Sequence, residues 1–300
     1  MTAEITVLAE NTAREGLAAE HGLSFWIRYG DHAFLLDAGS TAVFAENADR
    51  LGISVGEAEF AVLSHGHYDH GGGLEEWFRR NSGGKVYARK DAFGDYYSLT
   101  SGRPRRIGLP DPVRACADRF CFLAEDCQLF PGVWALGHGD APLEERAVRE
   151  KMYLHLEDAG EMPSGPERLP AAVYEEAGER FLPDSFAHEQ CLVLQTPEGL
   201  VIFSSCSHGG IDQTVREVME RFPGTPIRAV LGGFHLKGGP GGGEMPFSPQ
   251  EIRKLGETLR EMEIPEIYTG HCTGQEAFDI LKDVLKDRLH RLYAGRTIVF

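Results

Sequence analysis

One short stretch constrains this chain more than any other feature of its 300 residues. Phe60-Ala61-Val62-Leu63 is an apolar run of strand type that ends abruptly in Ser64-His65-Gly66-His67-Tyr68-Asp69-His70-Gly71-Gly72-Gly73. Three imidazoles and a carboxylate therefore sit within six residues, directly after a buried strand and with glycines behind them. Side chains in such a loop converge at the C-terminal edge of a sheet. Imidazole and carboxylate together suit zinc first, and also manganese, iron or nickel. His65, His67, Asp69 and His70 are accordingly candidate ligands, and Asp69 is the candidate catalytic group.

Four such residues do not complete two metal sites, so further ligands are expected downstream. Each later strand of the regular part of the chain has a histidine beside one of its ends. His188 precedes Cys191-Leu192-Val193-Leu194, and His208 follows Leu200-Val201-Ile202-Phe203. His235 follows Ile227 to Leu231, and His271 follows Ile264 to Tyr268. Recurrence at successive strand ends makes His188, His208 and His271 candidate ligands and His235 a candidate ligand or substrate contact.

The surrounding pattern is that of an α/β chain. Phe25 to Arg28 and Ala33 to Leu36, joined by Tyr29-Gly30-Asp31-His32, read as a hairpin. Ser40 reads as the cap of a helix through Val43, Phe44, Ala48 and Leu51. Ser248-Pro249-Gln250-Glu251 and Thr273-Gly274-Gln275-Glu276 both read as capping boxes. Residues 90–185 lack this regularity, apart from a helix expected over Glu144 to Leu156, and read as an insertion or lid within a single domain spanning 1–300.

Charge and hydropathy remove whole classes of function. Lys and Arg number 30 against 46 Asp and Glu, a net charge of −16, which argues against nucleic acid or an anionic membrane surface as the main partner. A small molecule remains, including a phosphorylated one, because a bound metal reverses the local field. No apolar run reaches the ~18 residues of a membrane span. The N-terminus reads as a first strand rather than a leader, and the six cysteines form no CxxC pair, so a cytoplasmic location is expected.

The HxHxDH loop resembles the metallo-β-lactamase-fold hydrolases. NTAREGLAAEHGLS, LLDAGS, LSHGHYDHGGGL, SCSHGGI, GGFHL and GHCTGQEA together resemble one branch, that of the dihydropterin–ribofuranosylaminobenzene phosphate synthases, over about residues 4–80 and 184–280. The resemblance implies a four-layer αββα sandwich with one or two divalent ions at one edge. It also implies that His65, His67, Asp69 and His70 bind the metal and that Asp37 orients their loop. The chain departs from these patterns at two points. Cys206, with His208 two residues on, stands where a metal-bridging carboxylate is usual in the superfamily. Position 188 departs from the branch rather than the superfamily, being His where relatives in the branch often carry an acidic residue, which restores the superfamily's third ligand motif.

The function expected is that of a hydrolase in which a metal-bound hydroxide attacks a phosphoester, ester, lactone or thioester. His235 and the glycines of 232–243 are expected to place donors around an anionic group. Two alternatives are a synthase joining a phosphoribosyl donor to an aromatic acid, and a non-hydrolytic iron redox or binding protein on the same fold.

Overall fold

The computed structural model describes residues 1–139, 143–156, 173–237 and 245–300. Two seven-stranded sheets form its centre. The first runs in the order Thr297–Val299, Ala3–Ala9, Ser24–Tyr29, His32–Leu36, Phe60–Val62, Lys85–Arg89, Phe120–Leu123. The second runs Leu289–Arg291, Glu266–Thr269, Ile227–Gly232, Gly199–Phe203, Gln190–Thr196, Val133–Gly137, Cys127–Phe130.

The strands are apolar on both faces because both faces are covered. Ile5, Phe25, Ile27, Phe34, Leu36, Leu192, Leu194, Val201, Phe203 and Leu231 alternate inward to form one core between the sheets. The intervening residues pack outward. Trp26, Leu35 and Ala61 meet the helices Val43–Leu51 and Leu74–Arg80. Val193, Ile202 and Val230 meet Ile211–Arg221, Pro249–Glu261 and Gln275–Leu285. The result is helix, sheet, sheet, helix, the expected four-layer α/β architecture.

Topology positions the site. His32–Leu36, Phe60–Val62 and Lys85–Arg89 are mutually parallel, as are Gly199–Phe203, Ile227–Gly232 and Glu266–Thr269. Loops leaving the C-terminal ends of these strands gather at one edge, where open α/β sheets bind ligands.

Several local expectations need correction. Residues 90–185 are not all insert, because Phe120–Leu123 extends the first sheet and Cys127–Phe130 and Val133–Gly137 extend the second. The remaining strands of this segment form a five-stranded sheet, Tyr174–Glu176, Glu179–Pro183, Met152–His155, Tyr96–Ser98, Arg105–Arg106. The expected helix over 144–156 stops at Glu150, and Met152–His155 is a strand, so its apolar residues follow a sheet period. Ser40 does not cap its helix, which begins after Ala42; its hydroxyl donates to the His21 carbonyl. The capping box at Ser248 forms in full. That at Thr273 does not, because its hydroxyl accepts from the Phe234 N–H at 3.0 Å and meets Thr269 Oγ1 at 2.5 Å.

Phe203 joins the two sheets, fully buried and edge-on to Phe25 at 5.5 Å. Replacing it with Ala should destabilise the fold by about 3–5 kcal/mol, the usual cost of an aromatic-sized cavity. Urea denaturation of the two proteins measures this directly.

Candidate metal centre

The loop after Phe60–Val62 holds its shape through glycines and one buried carboxylate. A Cβ on Gly72 or Gly73 would collide with the backbone carbonyls of Ser40 and Ala38, so the short helix Tyr68–Gly71 can lie against the 38–41 turn only with glycine there. Asp37, fully buried at φ +58°, accepts from the Ser64 N–H at 2.7 Å and the Ser64 hydroxyl at 2.8 Å. It also accepts from His70 Nδ1 at 2.8 Å. Ser64 Oγ in turn takes the Nδ1 proton of His65, also at 2.8 Å. These contacts fix the tautomers of His65 and His70 so that each Nε2 carries a lone pair.

The same arrangement recurs on the second sheet. His208 Nδ1 lies 3.0 Å from Glu150 Oε2, and His271 Nδ1 lies 2.9 Å from Asn11 Oδ1. Both acceptors turn Nε2 inward. The His208 loop hangs on Glu189, whose two oxygens accept from the N–H groups of His208 and Gly209 at 2.9 and 2.8 Å. Glu10 accepts from the His271 N–H at 2.6 Å.

Two groups of donors result. His65, His67 and His208 offer atoms within 4.8 Å of one another. Each of the three Nε2 atoms is buried and has no hydrogen-bond partner among the described residues. Burial, followed by the neighbouring imidazoles, holds all three rings well below the ordinary histidine pKa, so they are neutral. On the other side, His271 Nε2 lies 3.2 Å from His70 Nε2 and 3.5 Å from Asp69 Oδ2. Cys206 joins the two groups, because it, His65 and His70 offer atoms within 4.8 Å of one another. Its Sγ lies 3.1 Å from His70 Nε2 and 3.4 Å from Cys272 Sγ. Burial raises the Asp69 pKa, but hydrogen bonds from His21 and His271 outweigh it and hold the carboxyl well below its ordinary range.

Three buried, neutral nitrogens aimed at one point suit a borderline divalent cation, and the chain carries the Lactamase_B family model of the metallo-β-lactamase superfamily over residues 18–179. The chain belongs to the metallo-β-lactamase superfamily. It is 27% identical, over 99% of its length and 96% of the relative's, to the 7,8-dihydropterin-6-methyl-4-(β-D-ribofuranosyl)-aminobenzene-5′-phosphate synthase of Methanocaldococcus jannaschii. A crystal structure described as a metal-dependent hydrolase of the β-lactamase superfamily superposes with a TM-score of 0.75. That match has 30% identity and covers 99% of this chain and 98% of that one. Zn²⁺-bound PqqB from Methylobacterium extorquens shares the fold alone, with a TM-score of 0.54, 13% identity, and 98% and 99% of the two chains covered.

Within this metallo-β-lactamase fold His188 lies beside His67. It, Asp184 and His67 offer atoms within 4.8 Å of one another, yet both of its nitrogens are engaged. Nδ1 accepts from the Gly66 N–H at 2.9 Å, and Nε2 donates to Asp184 at 2.9 Å. His188 therefore props the loop that carries His65 and His67. The His235 ring lies 4.2 Å from that of His208, tilted at 49°, and its Nδ1 lies 2.9 Å from the same Glu150 oxygen.

Sequence reasoning missed Glu150, Glu189, His138 and Glu10 as parts of this centre, while Cys272 stands out in the sequence, like Cys206, only as a cysteine beside a histidine. Glu189 adjoins His188, and Glu10, Asn11 and Cys272 lie in or beside the matching motifs, so proximity was an available signal. Glu150 sits in a Glu-rich run that gives no sign of it.

His138 is clamped between Glu189 at 2.7 Å and Glu217 at 2.9 Å. Burial opposes its charge, but the two carboxylates prevail and push its pKa from 6.5 up to about 10. A raised folded pKa contributes stability that is complete below the unfolded value and lost as pH rises through the folded one. Stability should therefore decline between pH 6.5 and about 10. His138→Gln should lower stability near neutrality and flatten that slope in thermal melts taken across this range.

Proposed function

We propose that the chain is a metal-dependent hydrolase of a small-molecule ester, lactone, thioester or phosphoester, with zinc as the preferred ion. The three unpartnered buried Nε2 atoms of His65, His67 and His208 carry this reading. These three residues would hold one ion. Asp69, His70 and His271 would hold a second, with Cys206 in the position between. When bound, such ions supply Lewis acidity and lower the pKa of water toward neutrality.

The chain's own residues then divide the work. Asp69 reaches the cleft as an anion and is placed to hold a proton donor in line with the substrate. His21 lies 3.2 Å from its Oδ2 and fixes the carboxylate's orientation. Glu150 and Asp37 keep His208 and His70 in the ligating tautomer. The cleft of about 650 Å³ beside them admits a small molecule, and Ile107 and Met152 of the insert help to wall it off from water. A second reading, the synthase, is favoured by the 27% identity to the Methanocaldococcus jannaschii enzyme along nearly the whole chain. Condensation of a phosphoribosyl donor with an aromatic acid, in the absence of any hydrolysis, would decide for it.

Elemental analysis of protein purified without added metal should find zinc at one or two equivalents, and a hydrolase screen should lose its signal on chelation. Metal-free protein with full turnover refutes the reading. Asp69→Asn keeps size but loses charge and basicity. It should retain the fold and much of the metal while turnover falls roughly 100-fold or more. Near-normal turnover in that variant would remove Asp69 from the chemistry. Glu150→Gln should weaken metal affinity roughly 10–100-fold, as loss of a ligand-orienting carboxylate does; a competitive chelator titration reads this.

A further inference from the structure

The cleft runs against the charge of the molecule. The chain as a whole carries −16, yet Arg105, Arg149, Lys151 and Lys237 all line this cleft. Its acidic residues already face cations or hydrogen-bond donors. Asp69 is held by His21 and His271, and Glu150 by His208 and Arg146. Glu20 accepts from the Ser40 N–H and the Thr41 hydroxyl.

The cations are not satisfied in the same way. Arg149 is spent on Glu251 at 2.6 Å. Arg105, Lys151 and Lys237 have no carboxylate within ion-pair distance among the described residues. The two-residue strand Arg105–Arg106 contains its own control. Arg106 is neutralised by Asp95 at 2.9 Å and Asp111 at 3.0 Å. Arg105, on the opposite face, lies over the Tyr68 ring at 5.7 Å, and among the described residues its one hydrogen-bond partner is the phenol oxygen, 3.5 Å away. Tyr68 follows His67 directly, and Arg105, Tyr68 and His67 line the same cleft.

Lys151 adds backbone evidence. It terminates the helix Glu144–Glu150 at φ +58°, a left-handed position that glycine or asparagine fills at least cost. Lysine is held there on the wall of the cleft, directly after Glu150, which meets His208 Nδ1 at 3.0 Å. Ser98 and Thr100, whose hydroxyls meet at 2.9 Å, use one of their two protons on each other and offer the second on the same wall.

We propose that Arg105, Lys151 and Lys237 form a binding subsite for a phosphate group on the substrate, beside the metal positions. Three cations with one free hydroxyl proton match a dianion with several acceptor oxygens better than a single carboxylate. The assignment rests on the hydrolase reading only in taking this cleft as the substrate site.

The test uses metal-loaded protein and calorimetric titration with ribose 5-phosphate, ribose, and a sugar acid carrying a carboxylate in place of the phosphate. Ribose 5-phosphate should bind and ribose should not, and Arg105→Gln and Lys151→Gln should each weaken the phosphate ester roughly 10-fold or more. Arg106→Gln, on the other face of the same strand, should bind like the parent. Metal content measured on each sample should be unchanged, which shows that the loss is not through the metal. The subsite is overturned if the parent shows no binding at millimolar ribose 5-phosphate. It is also overturned if the Arg105 and Lys151 variants bind as tightly as the parent, or if the sugar acid binds equally well. Protein that lacks metal yet shows variant-sensitive phosphate binding would sink the hydrolase reading and leave the subsite standing. Protein with metal and hydrolysis but indifferent variants would do the reverse.

Discussion

The Asp37 carboxylate is the interaction on which the site depends. A fully buried anion is tolerated only when its lone pairs are filled, and here the Ser64 amide, the Ser64 hydroxyl and the His70 ring fill them. Each of those partners performs a second task. The amide closes the turn out of Phe60–Val62, the hydroxyl sets the tautomer of His65, and the ring directs His70 toward Cys206. One side chain at the end of His32–Leu36 thus converts the parallel pairing of two strands into the orientation of two imidazoles. Its left-handed backbone is part of the same arrangement. Ser207, His235 and His271 also have positive φ, so backbone strain gathers at this edge of the molecule.

The non-sandwich segment contributes structure to the centre as well as cover. Glu150, buried at the end of its short helix, is the only carboxylate among the described residues that meets the His208 ring. His188 and Asp184, which brace the His65–His67 loop, lie directly after the last strand of the third sheet, Glu179–Pro183. Folding of the small sheet and completion of the donor cluster are therefore coupled. A shift of the 144–150 helix would move a carboxylate on one side and an ammonium on the other.

Legibility in the sequence followed periodicity. Strands buried on both faces appear as apolar runs, and Phe25 to Arg28, Ala33 to Leu36, Cys191 to Leu194 and Leu200 to Phe203 all lie where those runs placed them. The HxHxDH spacing made the loop after Phe60–Val62 recognisable without a structure. Position 188 shows the limit. A histidine at a strand end has two nitrogens, and whether either is free depends on Asp184 and the Gly66 amide, the second of them more than 100 residues away. Caps failed for a similar reason. Thr273 has the local signature, but tertiary partners at Phe234 and Thr269 claim its hydroxyl first. Glu150 is indistinguishable in sequence from the exposed glutamates around it.

The donor cluster also explains why a cation, and not simply water or a proton, suits this place. Buried polar atoms ordinarily find partners, and leaving one without costs roughly 1–3 kcal/mol. Here the Nε2 atoms of His65, His67 and His208 are left together, in a fold that spends Glu150 on the other ring nitrogen of His208 and, through Ser64, Asp37 on that of His65. Protonating one ring would place its charge among the others, which is why burial and the adjacent imidazoles keep all three neutral. Only a species that accepts several lone pairs at once relieves every member of the group. A divalent ion does so, and whatever free energy it gains on binding is returned to the folded state, since the unfolded chain offers no assembled site.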